Sequence, residues 1–160
     1  MFFHIKNKKL YTSFIYSCAS NINEKYIDLL LNDHKINLYL FNIDGFLHDD
    51  NNLGFIFIRK TYSKKQHLYY LLLIGIHPEF RNVGYGKMIL DDFIQTIKIN
   101  NTKQYYMIVH STQNNLNFYI QYGFQISLSP KKHKIIYQYE NYNDHDIIMN
   151  LNLNSFKNIQ

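Results

Sequence analysis

Between Leu68 and Ile76 the chain is almost unbrokenly apolar, and His77-Pro78 ends the run. Such a run bounded by a proline predicts a strand buried on both faces. From Lys87 to Ile99 the apolar positions change period to 89, 90, 93, 94 and 97, with Asp91, Asp92, Gln95 and Lys98 between them. That spacing predicts an amphipathic helix. The six residues between, Arg81-Asn82-Val83-Gly84-Tyr85-Gly86, form a glycine-bearing loop from strand to helix N-terminus. Unpaired N–H groups and the helix dipole can hold a phosphate there. Gly84 and Gly86 let the backbone come close to a pyrophosphate, since no Cβ intervenes.

The remaining pattern predicts strands over Leu10–Ala19, Ile36–Ile43, Leu53–Lys60, Gln104–His110, Phe124–Leu128 and Asp146–Leu153. One helix capped by Asn21 or Asn23 runs to about Leu31, with Ile22, Tyr26, Leu29 and Leu30 on one face. Another covers Asn114 to Tyr122 and ends at Gly123. A long polar loop with Pro130, three lysines and several tyrosines separates the last two strands. No repeat, linker or second domain interrupts residues 1–160, so the chain reads as one domain.

Two familiar phosphate loops do not fit. A Walker A loop needs glycine where Arg81 stands and a hydroxyl where Met88 stands; a dinucleotide fingerprint needs glycine at Ile89. Arg-x-x-Gly-x-Gly after Ile76-His77-Pro78 resembles instead the cofactor loop of the GCN5-related N-acetyltransferase (GNAT) superfamily. A later stretch, Phe118-Tyr119 followed by Gly123-Phe124, resembles that family's second motif at the same spacing. Thr112 and Asn115 depart from it, standing where the family usually has Asn and Ala.

The resemblance implies an α/β (α+β) fold with a mixed, mostly antiparallel sheet of six or seven strands. It also implies a central splay and helices on both faces. It implies acetyl-CoA as cosubstrate, bound by the main chain of Ile74, Ile76 and Asn82, Val83, Gly84, Tyr85, Gly86 and Lys87, with Arg81 assisting by its charge beside the diphosphate and Asn115 and Phe118 on the later helix. It makes Tyr119 the acid that protonates the leaving thiolate. Many relatives carry a carboxylate base on the strand holding Leu71 to Ile74, which has none here; His110 is the local substitute, with His77 next. The implied activity is transfer of acetyl to a primary amine on a small molecule, a lysine or a protein N-terminus. Because the strand carboxylate is absent, a CoA-binding module without transfer remains the alternative.

Composition changes this picture little. The net charge of +5 suits an anionic cofactor. Abundant Asn, Ile, Lys and Tyr beside 6 Gly and 2 Pro is the bias of an AT-rich genome, which discounts the basicity. An RNA-binding domain with interleaved Lys and Tyr at 131–139 ranks last, because it leaves the strand–loop–helix arrangement unexplained. The single Cys18 excludes an internal disulfide and a cysteine-built zinc site, and reads as a small core residue. The N-terminal lysines followed by Leu10 to Cys18 mimic a signal peptide, but Tyr11, Thr12, Ser13 and Ser17 dilute the apolar stretch. The expectation is a cytoplasmic protein without membrane or nucleic-acid partners; a homodimer stays open.

Overall fold

The structure, a computed structural model, describes residues 1–43, 51–129, 133–139 and 147–157. Seven strands form one mixed sheet in the order β1-β2-β3-β4-β5-β7-β6. They are β1 Phe2–Ile5, β2 Ile36–Asn42, β3 Asn52–Tyr62, β4 Gln66–Ile76, β5 Gln104–Ser111, β6 Gln125–Ile126 and β7 Ile147–Asn152. The helices are α1 Thr12–Cys18, α2 Glu24–Asn32, α3 Tyr85–Thr96, α4 Leu116–Tyr122 and α5 Leu153–Lys157. Packing divides the chain into two compact units, and β3 and β4 run from one into the other.

The first unit is Met1–Ile58 with Leu73–Lys98. Its N-terminal arm corrects the sequence reading, because residues 10–19 are not the first strand. After a 3-10 turn over Lys8–Tyr11 they form α1, and β1 lies earlier. The buried or half-buried positions are 11, 12, 14, 15, 16, 18 and 19, with Ile15 fully enclosed and Leu10 75% exposed. The i, i+3, i+4, i+7 spacing among them is helical, and it outweighs the strand propensity of Tyr, Thr, Phe and Ile. The arm therefore holds two helices, not one.

In α2 the Asn23 side chain accepts from the Lys25 N–H at 2.9 Å, as its cap. Its buried face is Ile27, Leu30 and Leu31, one position round from the expected one, and Leu29 points outward. Lys8 closes the other end of α2, its ammonium donating to the carbonyls of Leu30 (2.7 Å), Asp33 (2.6 Å) and Ile36 (3.1 Å). Burial lowers the pKa of this lysine, and nearby Asp33 partly offsets that. Three acceptors and a helix C-terminus hold the charge in place.

β3 is enclosed on both faces: Leu53, Phe55, Ile56, Phe57 and Ile58 have no exposed surface. Two glycines let β3 and β4 approach closely. A Cβ on Gly54 would lie 2.5 Å from the Gly75 carbonyl oxygen, and one on Gly75 would fall within the Phe55 ring.

The second unit is Arg59–Leu72 with Ile99–Gln160. β4 and β5 pair in parallel from Gln66↔Gln104 to Leu71↔Val109, and β5 pairs antiparallel with β7 from Tyr106↔Asn152 to Ser111↔Ile147. The short β6 continues onto β7 through Gln125↔Asn150 and Ile126↔Met149. Residues 133–139 are less polar in effect than their composition predicts. Ile136 buries beside Tyr70, Ile108 and Ile148, and Arg59 donates to Gln138 Oε1 at 2.8 Å and to the Tyr139 hydroxyl. Pro130, Lys131 and Lys132 of that loop lie outside the described residues.

Gly75→Ala is expected to destabilise the fold by about 1–3 kcal/mol, because the methyl must displace the Phe55 ring. Urea unfolding checks this, and the cost should shrink in a Phe55→Leu background.

Candidate active site

The pairing of β4 sets the geometry. Tyr69, Tyr70 and Leu71 are buried, whereas Leu72, Leu73 and Ile74 are only half-buried. The change falls where the register with β5 ends, at Leu71↔Val109, although β4 continues to Ile76. His77 N–H donates to Leu53 O of β3 at 2.8 Å. Main-chain polar groups alternate in direction along a strand, so those of Ile74 and Ile76 point away from β3. Beyond Leu71 that side of β4 has no registered strand partner. Both predicted residues lie on this last stretch of β4.

After β4, Pro78 opens a 3-10 turn over Pro78–Phe80, where its missing N–H is no loss. The turn is closed by Phe80 N–H donating to His77 O at 2.9 Å. Arg81 then returns to extended backbone, while Asn82 (φ 62°) and Gly84 (φ 94°) both adopt left-handed conformations. Gly84 is the N-cap of α3, and a Cβ built there would meet nothing within 4 Å. The left-handed backbone selects glycine, and the open space beside it leaves room for a ligand. Residues 81–84 are exposed, and the N–H groups of Tyr85, Gly86 and Lys87 open α3 without intrahelical acceptors. Such a concave run of donors at a helix start favours anions. The Lys87 side chain runs along the helix to Asp91, 2.7 Å away.

Arg81 behaves differently from a free phosphate-binding arginine. Its Nε donates to Ile76 O at 3.1 Å, and its Nη2 to Cys18 O, at the end of α1, at 2.9 Å. The guanidinium thus fixes the loop to the end of β4 and to the C-terminus of α1. His77 has a packing role of its own, stacked on Phe14 with ring centroids 6.3 Å apart and 3° between planes. Its Nδ1 stands 4.0 Å from the Glu79 carboxylate. Cys18 is buried as expected, though in a helix, and burial pushes its thiol up to about 11.

In the second unit His110 is half-buried on β5, opposite Ile148 of β7. A 3-10 turn over Gln113–Asn115 leads into α4, where Asn115 is exposed and its side chain makes no capping bond. Gly123 (φ 117°) ends α4; its N–H donates to Tyr119 O and Ile120 O, and Phe124 N–H donates to Tyr119 O at 2.9 Å. The predicted left-handed cap is therefore present. It turns Phe124 back onto Tyr119, with ring centroids 5.3 Å apart, while Phe118 packs from the other side at 5.1 Å. Phe118 itself reaches the surface. Tyr119 is 5% exposed, and burial raises its pKa well above the ordinary phenol value. Its phenol stays protonated through the physiological range.

The Arg59 contacts and the Arg81–Cys18 link escaped sequence reading. Their partners are separated by 79, 80 and 63 residues, and no local pattern encodes them.

A family profile described as Acetyltransferase (GNAT) domain matches residues 43–126, more than half of the chain. The chain belongs to the GNAT acetyltransferase family. Solved GNAT structures share the fold at low identity. A putative acetyltransferase from Desulfovibrio desulfuricans is 14% identical, with 96% of this chain and 98% of that one covered at a TM-score of 0.65. A family member from Elizabethkingia anophelis, solved with acetyl-CoA bound, is 16% identical over 95% and 98% at 0.62. Arabidopsis thaliana Naa50, in complex with the bisubstrate analogue CoA-Ac-MVNAL, is 17% identical over 94% and 97% at 0.59. No curated protein matches the sequence. No helix among the described residues is long and apolar enough to cross a membrane, and none of their His, Cys, Asp and Glu side chains group as a metal site.

Arg81→Ala is expected to cost about 1–3 kcal/mol, since it strips two carbonyls of a charged donor. The loss should persist at high salt in urea unfolding, because both acceptors are neutral. The only cysteine reports the same event: at pH 8 Cys18 should react slowly with an aromatic disulfide reagent, and faster in Arg81→Ala.

Proposed function

We propose that the protein is an acetyl-CoA-dependent N-acetyltransferase acting on a primary amine. The observation that carries this reading is the turn before α3. Asn82 and Gly84 in left-handed conformations, open space over Gly84 and the first N–H groups of α3 together suit a pyrophosphate. Acetyl-CoA is the ligand of the Elizabethkingia relative, and a CoA–acetyl–peptide conjugate that of the plant Naa50. The same class of cosubstrate suits the unpaired side of β4, where an extended amide-bearing arm finds free main-chain groups at Ile74 and Ile76. The Ile76 carbonyl already accepts from Arg81, which leaves its N–H and the groups of Ile74 for that arm. Asn82 to Lys87 contribute backbone, and Phe118 and Asn115 lie on and beside α4 as further contacts.

Acetyl transfer from a thioester requires a neutral amine, a polarised carbonyl and a proton for the departing sulfur. A main-chain N–H aimed at the developing oxyanion is worth about 2.7–4 kcal/mol. Tyr119 supplies the proton: burial keeps its phenol neutral, and because burial also makes it a weaker acid than a thiol, the transfer is completed by the proton that the attacking amine gives up. His110 takes the proton from the attacking amine. Acceptors range over small amines, lysine side chains and protein N-termini. The absence of a carboxylate on β4 favours one second reading, a CoA-binding protein without transfer.

Incubation with acetyl-CoA and a panel of amines and peptides, following release of free thiol, tests the proposal. Turnover on any acceptor supports it; CoA binding without turnover supports the second reading. Gly84→Val should abolish CoA binding in calorimetry while the protein stays folded. Tyr119→Phe should lower kcat by roughly 10²–10⁴ with CoA affinity nearly unchanged. Near wild-type turnover in that variant would reduce Tyr119 to a packing residue.

A further inference from the structure

Charge is divided unevenly between the two units. The first holds 8 Lys and Arg against 9 Asp and Glu, the second 9 against 3, so the net charge of +5 is −1 on one and +6 on the other. A genome-wide compositional bias enriches lysine along the whole chain and does not sort acids from bases in this way. The acids of the second unit are Glu140, Asp144 and Asp146, which lie outside the described residues. Among the described residues of that unit no carboxylate side chain offsets the lysines.

Within the second unit, lysines gather at the end of the sheet where β3, β4 and β5 meet. Ser63 N–H donates to Gln66 O at 2.9 Å and leaves Lys64 and Lys65 as the exposed tip of the β3–β4 hairpin. Gln104 N–H donates to Lys65 O at 3.0 Å, which ties the start of β5 to that tip. Cations and rings interleave beside it. Lys60 Nζ lies 6.0 Å over the Tyr69 ring, and Lys103 Nζ stands 3.3 Å from His67 Nε2. The His67 ring packs against both Tyr62 and Tyr105, with centroids 4.7 Å apart in each pair. Desolvation and then Lys103 lower the pKa of His67, so its Nε2 accepts from that ammonium. Asn154 holds the β5 start, donating to Lys103 O at 3.0 Å and accepting from Tyr105 N–H at 2.7 Å. Tyr69 and Tyr105 are buried, but Tyr62 is 62% exposed. Its contact with His67 is edge-on, at 76°, which leaves most of the Tyr62 ring open.

We infer that this end of the sheet binds single-stranded nucleic acid, with an unpaired base stacked on Tyr62 and neighbouring phosphates held by Lys60, Lys64, Lys65 and Lys103. An exposed ring set among braced cations is the combination such strands use: stacking tolerates any base, and the lysines follow the backbone. In a duplex the bases already stack on one another, so the ring has no face to meet. An acidic peptide matches the lysines and leaves Tyr62 without a partner. The hairpin tip and the adjoining loop present Thr61, Ser63, Gln66, Asn101 and Thr102, which offer hydrogen bonds and nothing apolar to insert between lipid tails. None of these residues belongs to the cofactor turn or to the proposed catalytic groups, so binding does not depend on acyl transfer.

Fluorescence anisotropy of the full-length protein with a labelled single strand of about 20 nucleotides, made as RNA and as DNA, tests this. At about 50 mM salt at least one of the two should bind saturably, and log K should fall with log salt at a slope of about −3, as four phosphate contacts require. Tyr62→Ala should weaken binding about 5- to 150-fold with the slope unchanged, while Tyr62→Phe binds like wild type. Lys64→Ser combined with Lys65→Ser should instead flatten the slope by about 1.4. These positions are exposed, so the variants should keep the wild-type melting temperature. Four results would overturn the proposal. One is no saturable binding of either strand. Another is a complementary duplex bound as tightly, and a third is full affinity in Tyr62→Ala, which reduces the face to a general attraction for polyanions. The fourth is tighter binding to vesicles with about 30% phosphatidylserine, which assigns the face to a membrane. Failure of the protein to bind CoA would remove the proposed acetyl transfer and leave the strand binding intact.

Discussion

Strand β4 has neighbours on both sides only as far as Leu71; past that point its registered pairing is with β3 alone. A buried strand with one free side ordinarily carries a large cost in unpaired N–H and C=O groups. Three features accommodate it here. Burial relaxes from complete to partial over Leu72, Leu73 and Ile74. The glycine pair Gly54 and Gly75 brings β3 close, holding the strand firmly on its paired side. Arg81 turns back to donate a charge-assisted bond to Ile76 O, which gives that carbonyl a partner.

Arg81 also shows how a family motif divides labour. A positive residue at the head of a phosphate loop invites an electrostatic explanation, yet this guanidinium is engaged with two neutral carbonyls. The turn also offers two left-handed residues and the first donors of α3, an arrangement of backbone groups that suits anions. Backbone donors do not titrate and lose no side-chain entropy, so they provide a field that is the same at every pH. The guanidinium at position 81 keeps its charge and also fixes the turn.

Much of the arrangement was legible because it rests on local periodicity. The β4 run, the helix after Gly84, the Asn23 cap and the Gly123 cap are each written within a dozen residues, and each was found within a few positions. The arm over residues 10–19 was misread because β-branched and aromatic residues suggested a strand. The decisive information was which positions are buried, at 15, 18 and 19, with 11, 12, 14 and 16 half-buried. The segment around Ile136 looked like a solvated loop because its anchor, Arg59, lies far away in sequence.

The link from Arg81 to Cys18 spans 63 residues and has a consequence for the order of events in folding. Closing so long a segment is entropically costly, and contacts of this separation form after local helices and hairpins. α1 and α3 can each take shape from neighbouring residues, but the turn between β4 and α3 is held in place only when the early arm docks against it. On the ribosome, Cys18 is made first and waits for its arginine. The loop acquires its final form as one of the last steps in building the first unit, so a chain shortened at its beginning would carry the whole motif and still lack the contact that sets it.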